Sequence, residues 1–129
     1  MLTSIFIIDD DPIDCFIANK VITSSIEKSK ITSFYSATTA LKALQELAQH
    51  DPLTFPHLLF LDINMPLMDG FQFLDEFERL TNVAKKKCKI VMLTSSINPQ
   101  DFNRSKKYEN VRLYLNKPLS HDSIIKLEI

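Results

Sequence analysis

The sequence predicts an α/β domain: a doubly wound, five-stranded parallel sheet with helices on both faces. Three observations lead there. Five short apolar runs, at residues 5–8, 31–35, 58–61, 89–93 and 111–115, are rich in β-branched or aromatic residues and bounded by turn formers. Segments with apolar residues at helical spacing lie between them, and that alternation demands right-handed crossovers with helices on either side of the sheet. The polar residues Asp9, Asp10, Asp62, Thr94 and Lys117 all follow the carboxyl ends of runs, which in such a sheet share one edge.

The first run ends in Asp9-Asp10-Asp11-Pro12, where Asp11 reads as an N-cap and Pro12 as the first helical residue. Ile13, Phe16, Ile17 and Val21 then recur at helical spacing, predicting a helix to about Thr23 with these residues as its apolar stripe. After the strand at 31–35, Thr38 or Thr39 opens a second helix with a stripe of Leu41, Leu44, Leu47 and Ala48. Residues 50–56, with two prolines, stop it. The central run, Leu58-Leu59-Phe60-Leu61, enters Asp62 and then turns through Pro66 and Gly70, the only glycine. A continuous apolar run of that length reads as a strand buried on both faces. Phe71, Leu74, Phe77 and Leu80 make a third helical stripe, and Lys85-Lys86-Lys87 reads as a solvated connection. The strand at 89–93 precedes Thr94-Ser95-Ser96, Asn98-Pro99 caps a short polar helix to about Lys107, and Ser120 caps a last short helix to Ile129.

At 129 residues the chain is expected to be one domain spanning 1–129. A net charge of −1 leaves no basic footprint for nucleic acid, and no apolar run approaches the roughly 18 residues that span a bilayer. Two cysteines are too few for a disulfide framework, which points to a reducing cytoplasm. His50, His57 and His121 lack metal-ligand spacing.

The strand ends carry the chemistry. Carboxylates about 5 Å apart repel by roughly 3 kcal/mol per pair at an effective dielectric near 20. Asp9, Asp10 and Asp62 together must therefore hold a proton or a cation, and hard oxygens without histidine or cysteine favour Mg²⁺. Mg²⁺ completes its shell with water and phosphate oxygens, Lys117 adds a point charge, and Thr94 adds a hydroxyl. A carboxylate can itself accept a phosphoryl group.

Residues 7–11 (Ile-Ile-Asp-Asp-Asp), 61–66 (Leu-Asp-Ile-Asn-Met-Pro) with Asp69-Gly70, 91–95 (Val-Met-Leu-Thr-Ser) and 114–118 (Tyr-Leu-Asn-Lys-Pro) resemble the CheY-like receiver domain of bacterial response regulators. The resemblance covers essentially the whole chain. It implies a flavodoxin-like fold with strand order 2-1-3-4-5. It implies Asp62 as the acceptor of a phosphoryl group from a phosphohistidine on a sensor kinase or phosphotransfer protein. Asp10, Asp62 and the Asn64 backbone carbonyl would hold Mg²⁺, with Asp9 holding metal-bound water. Lys117 would pair first with Asp62 and then with the phosphoryl group, Thr94 would turn inward to it, and Tyr114 would follow. Output would pass to a downstream protein through the face of helix four, strand five and helix five. The chain departs from the usual pattern in Leu113 before the switch aromatic, Ser95 after the threonine and a short last helix. The expected unit is a monomer, with a phosphorylation-dependent dimer as a further state, and no effector domain in these residues.

Two other functions compete. An aspartate-nucleophile phosphohydrolase usually needs a second acid two residues after the nucleophile, and that position is Asn64. A degenerate receiver used only for docking would not need the full acid, threonine and lysine set. The expectation is a self-phosphorylating switch that turns over no separate substrate.

Overall fold

The computed structural model describes residues 2–80 and 85–127. Strands β1 (Thr3–Ile8), β2 (Ser29–Phe34), β3 (Leu58–Asp62), β4 (Lys89–Thr94) and β5 (Val111–Asn116) form one sheet in the order β2-β1-β3-β4-β5. All four pairings are parallel, with β3 central and every one of its residues buried. The expected sheet is therefore present in its expected order.

The described helices are α1 (Pro12–Ser25), α2 (Ala37–His50), α3 (Gly70–Phe77), α4 (Pro99–Ser105) and α5 (His121–Ile125), with a 3₁₀ turn at Pro52–Thr54. Their starts follow local chemistry. Asp11 accepts from the Ile13 amide at 2.9 Å, Asn98 from the Gln100 amide at 2.8 Å, and Ser120 from the Ser123 amide at 3.2 Å. Asp69 and Gln72 form a reciprocal capping box at the start of α3. The second helix opens one turn-fragment earlier than Thr38, because Ser36 is its cap and accepts from the Thr39 amide. Among the described residues the last helix runs to Ile125, after which the Leu127 amide bonds back to the Ile124 carbonyl in a tighter turn; the expected end at Ile129 lies outside the described residues.

Two apolar layers flank the sheet. Ile5, Ile7, Leu58, Phe60, Val91 and Leu93 point to the side of α1 and α5. Phe6, Ile8, Leu59, Leu61, Ile90 and Met92 point to α2 and α3. Fully burying one such side chain is worth about 1.5–3 kcal/mol, so both layers contribute heavily.

Helix α1 corrects the sequence reading. Ile13 is 69% exposed, Phe16 63% and Ile17 39%, whereas Cys15, Ala18 and Ile22 are buried. Small Cys15 and Ala18 bring the helix close to the sheet, and the cysteine thiol donates to the Asp9 carbonyl at 3.3 Å. Of the expected stripe, Ile13, Phe16 and Ile17 thus face outward, and Val21 packs partly against the core. Lys85 also departs from a solvated connection: its ammonium contacts the Glu78 carbonyl and lies 3.7 Å from the Glu78 carboxylate.

Gly70 is required for space rather than for a left-handed backbone. A Cβ there would lie 2.9 Å from the Asp62 carbonyl oxygen and 2.9 Å from the Ile63 Cα. The Gly70 amide donates to the Ile63 carbonyl at 2.8 Å, so α3 is drawn against the end of β3. The positive φ in this loop falls instead at Leu67, φ 69°, bridged by a bond from the Met68 amide to the Pro66 carbonyl.

Candidate functional site: an acidic pocket closed by a lysine

Parallel pairing of β1, β3 and β5's neighbour β4 puts the strand ends at one edge, and the polar residues meet there. Carboxylate oxygens of Asp9, Asp10 and Asp62 lie within 4.8 Å of one another. Asp9 and Asp62 are buried, while Asp10 is exposed. Lys117 arrives from the end of β5, its backbone held by a 2.8 Å bond from its amide to the Thr94 carbonyl. Its Nζ donates to Asp9 Oδ2 at 2.8 Å and to Asp14 Oδ2 at 2.8 Å, and pairs with Asp62 Oδ1 at 3.2 Å.

These contacts set the ionisation behaviour. Burial and the neighbouring Asp9 charge push the Asp62 carboxyl up to about 6, against the opposing pull of Lys117 and a bond from the Asn64 backbone amide. Burial works to lower the Lys117 ammonium, but bonds to Asp14 and Asp9 and the Asp62 charge outweigh it and hold it above the ordinary lysine range. The lysine is therefore a permanent cation at neutral pH. Cys15, pushed up to about 11 by burial and by Asp9, offers no thiolate to the pocket. An all-oxygen donor set with no histidine or thiolate fits a hard divalent cation.

The response regulator receiver domain family matches residues 5–127. The chain belongs to that family. Receiver domains are the phosphorylation-dependent switches of two-component response regulators. The curated response regulator Rcp1 of Synechocystis sp. is 27% identical over 124 residues, covering 95% of this chain and 82% of its own length. Among solved structures, a two-component response regulator from Cytophaga hutchinsonii is 29% identical with a TM-score of 0.89, covering 98% of this chain and 94% of that one. The Mn²⁺-bound form of Rcp1 superposes with a TM-score of 0.74 at 24% identity, covering 97% of this chain and 88% of that one.

Within this receiver domain, the structure gathers Asp9, Asp10, Asp62 and Lys117 and leaves the other expected residues further back. The Thr94 hydroxyl is buried and engaged with Ser96, donating to its carbonyl at 3.0 Å and accepting from its amide at 3.2 Å. Tyr114 packs edge-on against Phe102, ring centroids 5.6 Å apart. Its hydroxyl oxygen is buried with no hydrogen-bond partner among the described residues. Burial raises the Tyr114 hydroxyl's ionisation point, and the nearby Asn98 amide offsets only part of that. Asn64 meets Asp62 through its backbone N–H.

Sequence reasoning missed Asp14. An acid in the first turn of a helix is ordinarily read as complementing the helix dipole. Its one sequence signal is a position just past the Asp11 cap, one helical turn from the Asp9-Asp10 pair. Asp14, Ile17, Ala18, Leu93, Pro118 and Leu119 line a cleft of about 230 Å³ on the α1 side of the lysine.

Proposed function

We propose that this receiver domain accepts one phosphoryl group on Asp62, and the observation that carries the reading is the buried Asp62 carboxylate held 3.2 Å from a permanently charged lysine. An Asp62 oxygen attacks phosphorus. The phosphorus–nitrogen bond of a donor phosphohistidine breaks, and the bonding pair leaves on the imidazole, which then takes a proton from solvent. The product is an aspartyl phosphate, and attack by water on its phosphorus returns the carboxylate and releases phosphate. Lys117 balances charge on the transferred oxygens.

Asp10, Asp62 and the Asn64 carbonyl would hold Mg²⁺, with Asp9 holding a metal-bound water. When bound, the ion neutralises charge between the acceptor and the incoming phosphoryl oxygens. The Mn²⁺ of the similar Rcp1 structure supports a divalent ion here. The exposed apolar face of Ile13, Phe16 and Ile17, bordering the cleft beside Lys117, supports approach of the kinase or phosphotransfer protein over α1.

Phosphorylation adds about −1.5 to −2 charges and three acceptor oxygens beside Thr94. The Thr94 hydroxyl exchanges Ser96 for a phosphoryl oxygen, and the buried Tyr114 hydroxyl moves with it, reshaping α4, β5 and α5 for a downstream partner. Taking such a switch from 1:99 to 99:1 needs about 5.5 kcal/mol, more than one hydroxyl contact supplies, so partner binding completes it. The domain, read as one unit over 1–129, works in the cytoplasm as a monomer, with dimerisation reserved for the phosphorylated form.

Incubation with Mg²⁺ and a small acyl phosphate should add one phosphoryl group by intact mass, and Asp62→Asn should add none. No mass gain in the wild-type protein refutes the reading. Sustained multiple turnover of a phosphate ester would instead establish the hydrolase.

A further inference from the structure

Asp14 is an acidic residue at the pocket with no part in the acceptor chemistry above. Its carboxylate oxygens fall outside the set formed by Asp9, Asp10 and Asp62, so it is a partner of the lysine and not of the cation site. Its contact with Lys117 is nevertheless as short as that of Asp9, 2.8 Å against 2.8 Å, and shorter than the 3.2 Å to Asp62.

An ammonium has three N–H donors on a tetrahedral nitrogen. Two are taken by Asp9 and Asp14, which fixes rotation about the terminal bond and leaves the third for Asp62, 3.2 Å away. Asp9 alone would hold the lysine poorly. One of its oxygens already accepts from the Asp11 amide at 2.9 Å, and a cation in the pocket would draw on the same carboxylate. Asp14 is free of that competition. It also stands on a fixed base: Asp11 caps α1, and the Cys15 amide bonds to the Asp11 carbonyl at 3.0 Å. The lysine stem, by contrast, is flexible and loses rotamer freedom only where its head is held.

Resting on the phosphoryl-acceptor reading, we propose that Asp14 is a positioning residue that anchors the Lys117 ammonium from α1 and aims its remaining N–H at the acceptor oxygen. The anchor persists when the cation binds. Once the phosphoryl group is in place, the same N–H meets one of its oxygens without reorganisation of the lysine head.

The test compares wild type, Asp14→Ala and Asp14→Asn, each checked for folding by circular dichroism. Three quantities are measured: the rate of phosphorylation by a small acyl phosphate at saturating Mg²⁺, the Mg²⁺ affinity by calorimetry, and the ¹⁵N-resolved signal of the Lys117 ammonium. Asp14→Ala should slow phosphorylation about tenfold, the loss expected of one charge-assisted hydrogen bond. It should shift the Mg²⁺ Kd by less than about threefold, since the lost charge is partly screened. The ammonium signal, protected in wild type, should broaden into solvent exchange. Asp14→Asn, which keeps an acceptor oxygen, should recover most of the rate and the signal. An alanine variant that keeps the wild-type rate, or one whose ammonium signal stays protected, overturns the proposal, as does an Mg²⁺ affinity that falls in step with the rate. Absence of phosphorylation in the wild-type protein refutes the acceptor reading itself, which separates the two failures.

Discussion

Asp62 carries a conflict between reactivity and stability. Its carboxyl ionises near 3.8 in an unfolded chain but near 6 in the folded one, where burial and Asp9 oppose the charge more than Lys117 favours it. The folded state therefore holds its proton longer, and the contribution of this group to stability falls as pH rises from about 4 to 6. At neutral pH the ionised, buried Asp62 is therefore destabilising in metal-free solution. Asp62→Asn should raise the urea unfolding free energy by on the order of 1–3 kcal/mol at pH 7.5 in the presence of a chelator, and by clearly less at pH 4.5. Equal gains at both pH values would show that the buried charge is not the cause. The residues in this conflict were legible because each interrupts an apolar run at its carboxyl end. Asp14 was not legible, since its role depends on where Lys117, 103 residues later, places its ammonium.

Helix α1 shows what pattern reading resolves at the scale of an element. Its boundaries are local matters, and Asp11-Pro12 marks the start correctly. Its rotation is not local. Pattern reading expects Ile13, Phe16, Ile17 and Val21 as its buried stripe, and these are larger than the Cys15, Ala18 and Ile22 that the structure buries. Close approach to the sheet favours the small residues, so they are buried and Ile13, Phe16 and Ile17 are left exposed. Phe16→Ala should change the urea midpoint by less than the equivalent of about 0.5 kcal/mol, as for a surface site. Ile22→Ala, at a fully buried position, should cost about 2–5 kcal/mol. The reverse ranking would mean that α1 is rotated from the orientation described here. Helix α3 gave no such ambiguity, because Phe71, Leu74 and Phe77 are its dominant stripe and all three are buried.

At the scale of the molecule, the doubly wound topology converts distant sequence into one charged pocket. Asp9 and Lys117, 108 residues apart, are joined at 2.8 Å because β1 and β5 run parallel and end at the same edge. Crowding carboxylates there makes folding and cation binding linked equilibria. Mg²⁺ that binds only the folded chain should stabilise it by about 2.7 kcal/mol at a hundred times its Kd. A thermal melt should therefore move upward with Mg²⁺, and Asp10→Asn should remove most of that shift. Equal shifts in both proteins would place the ion elsewhere. Asp10 is the suitable probe because it is exposed and makes no contact with Lys117 among the described ion pairs.

The amino-acid sequence by itself determined the alternation of strands and helices, the caps of α1, α4 and α5, the buried central strand and the acidic, threonine and lysine positions at its edge. Each follows from a periodicity or a neighbouring residue a few positions away. Tertiary structure alone decided the outward face of α1, the engagement of Thr94 with Ser96, the buried hydroxyl of Tyr114 and the binding of Lys117 to Asp14. Gly70 belongs with these, since the backbone of Asp62 and Ile63 lies where its Cβ would stand. All of them depend on how closely separate elements approach one another, a distance that no local pattern encodes.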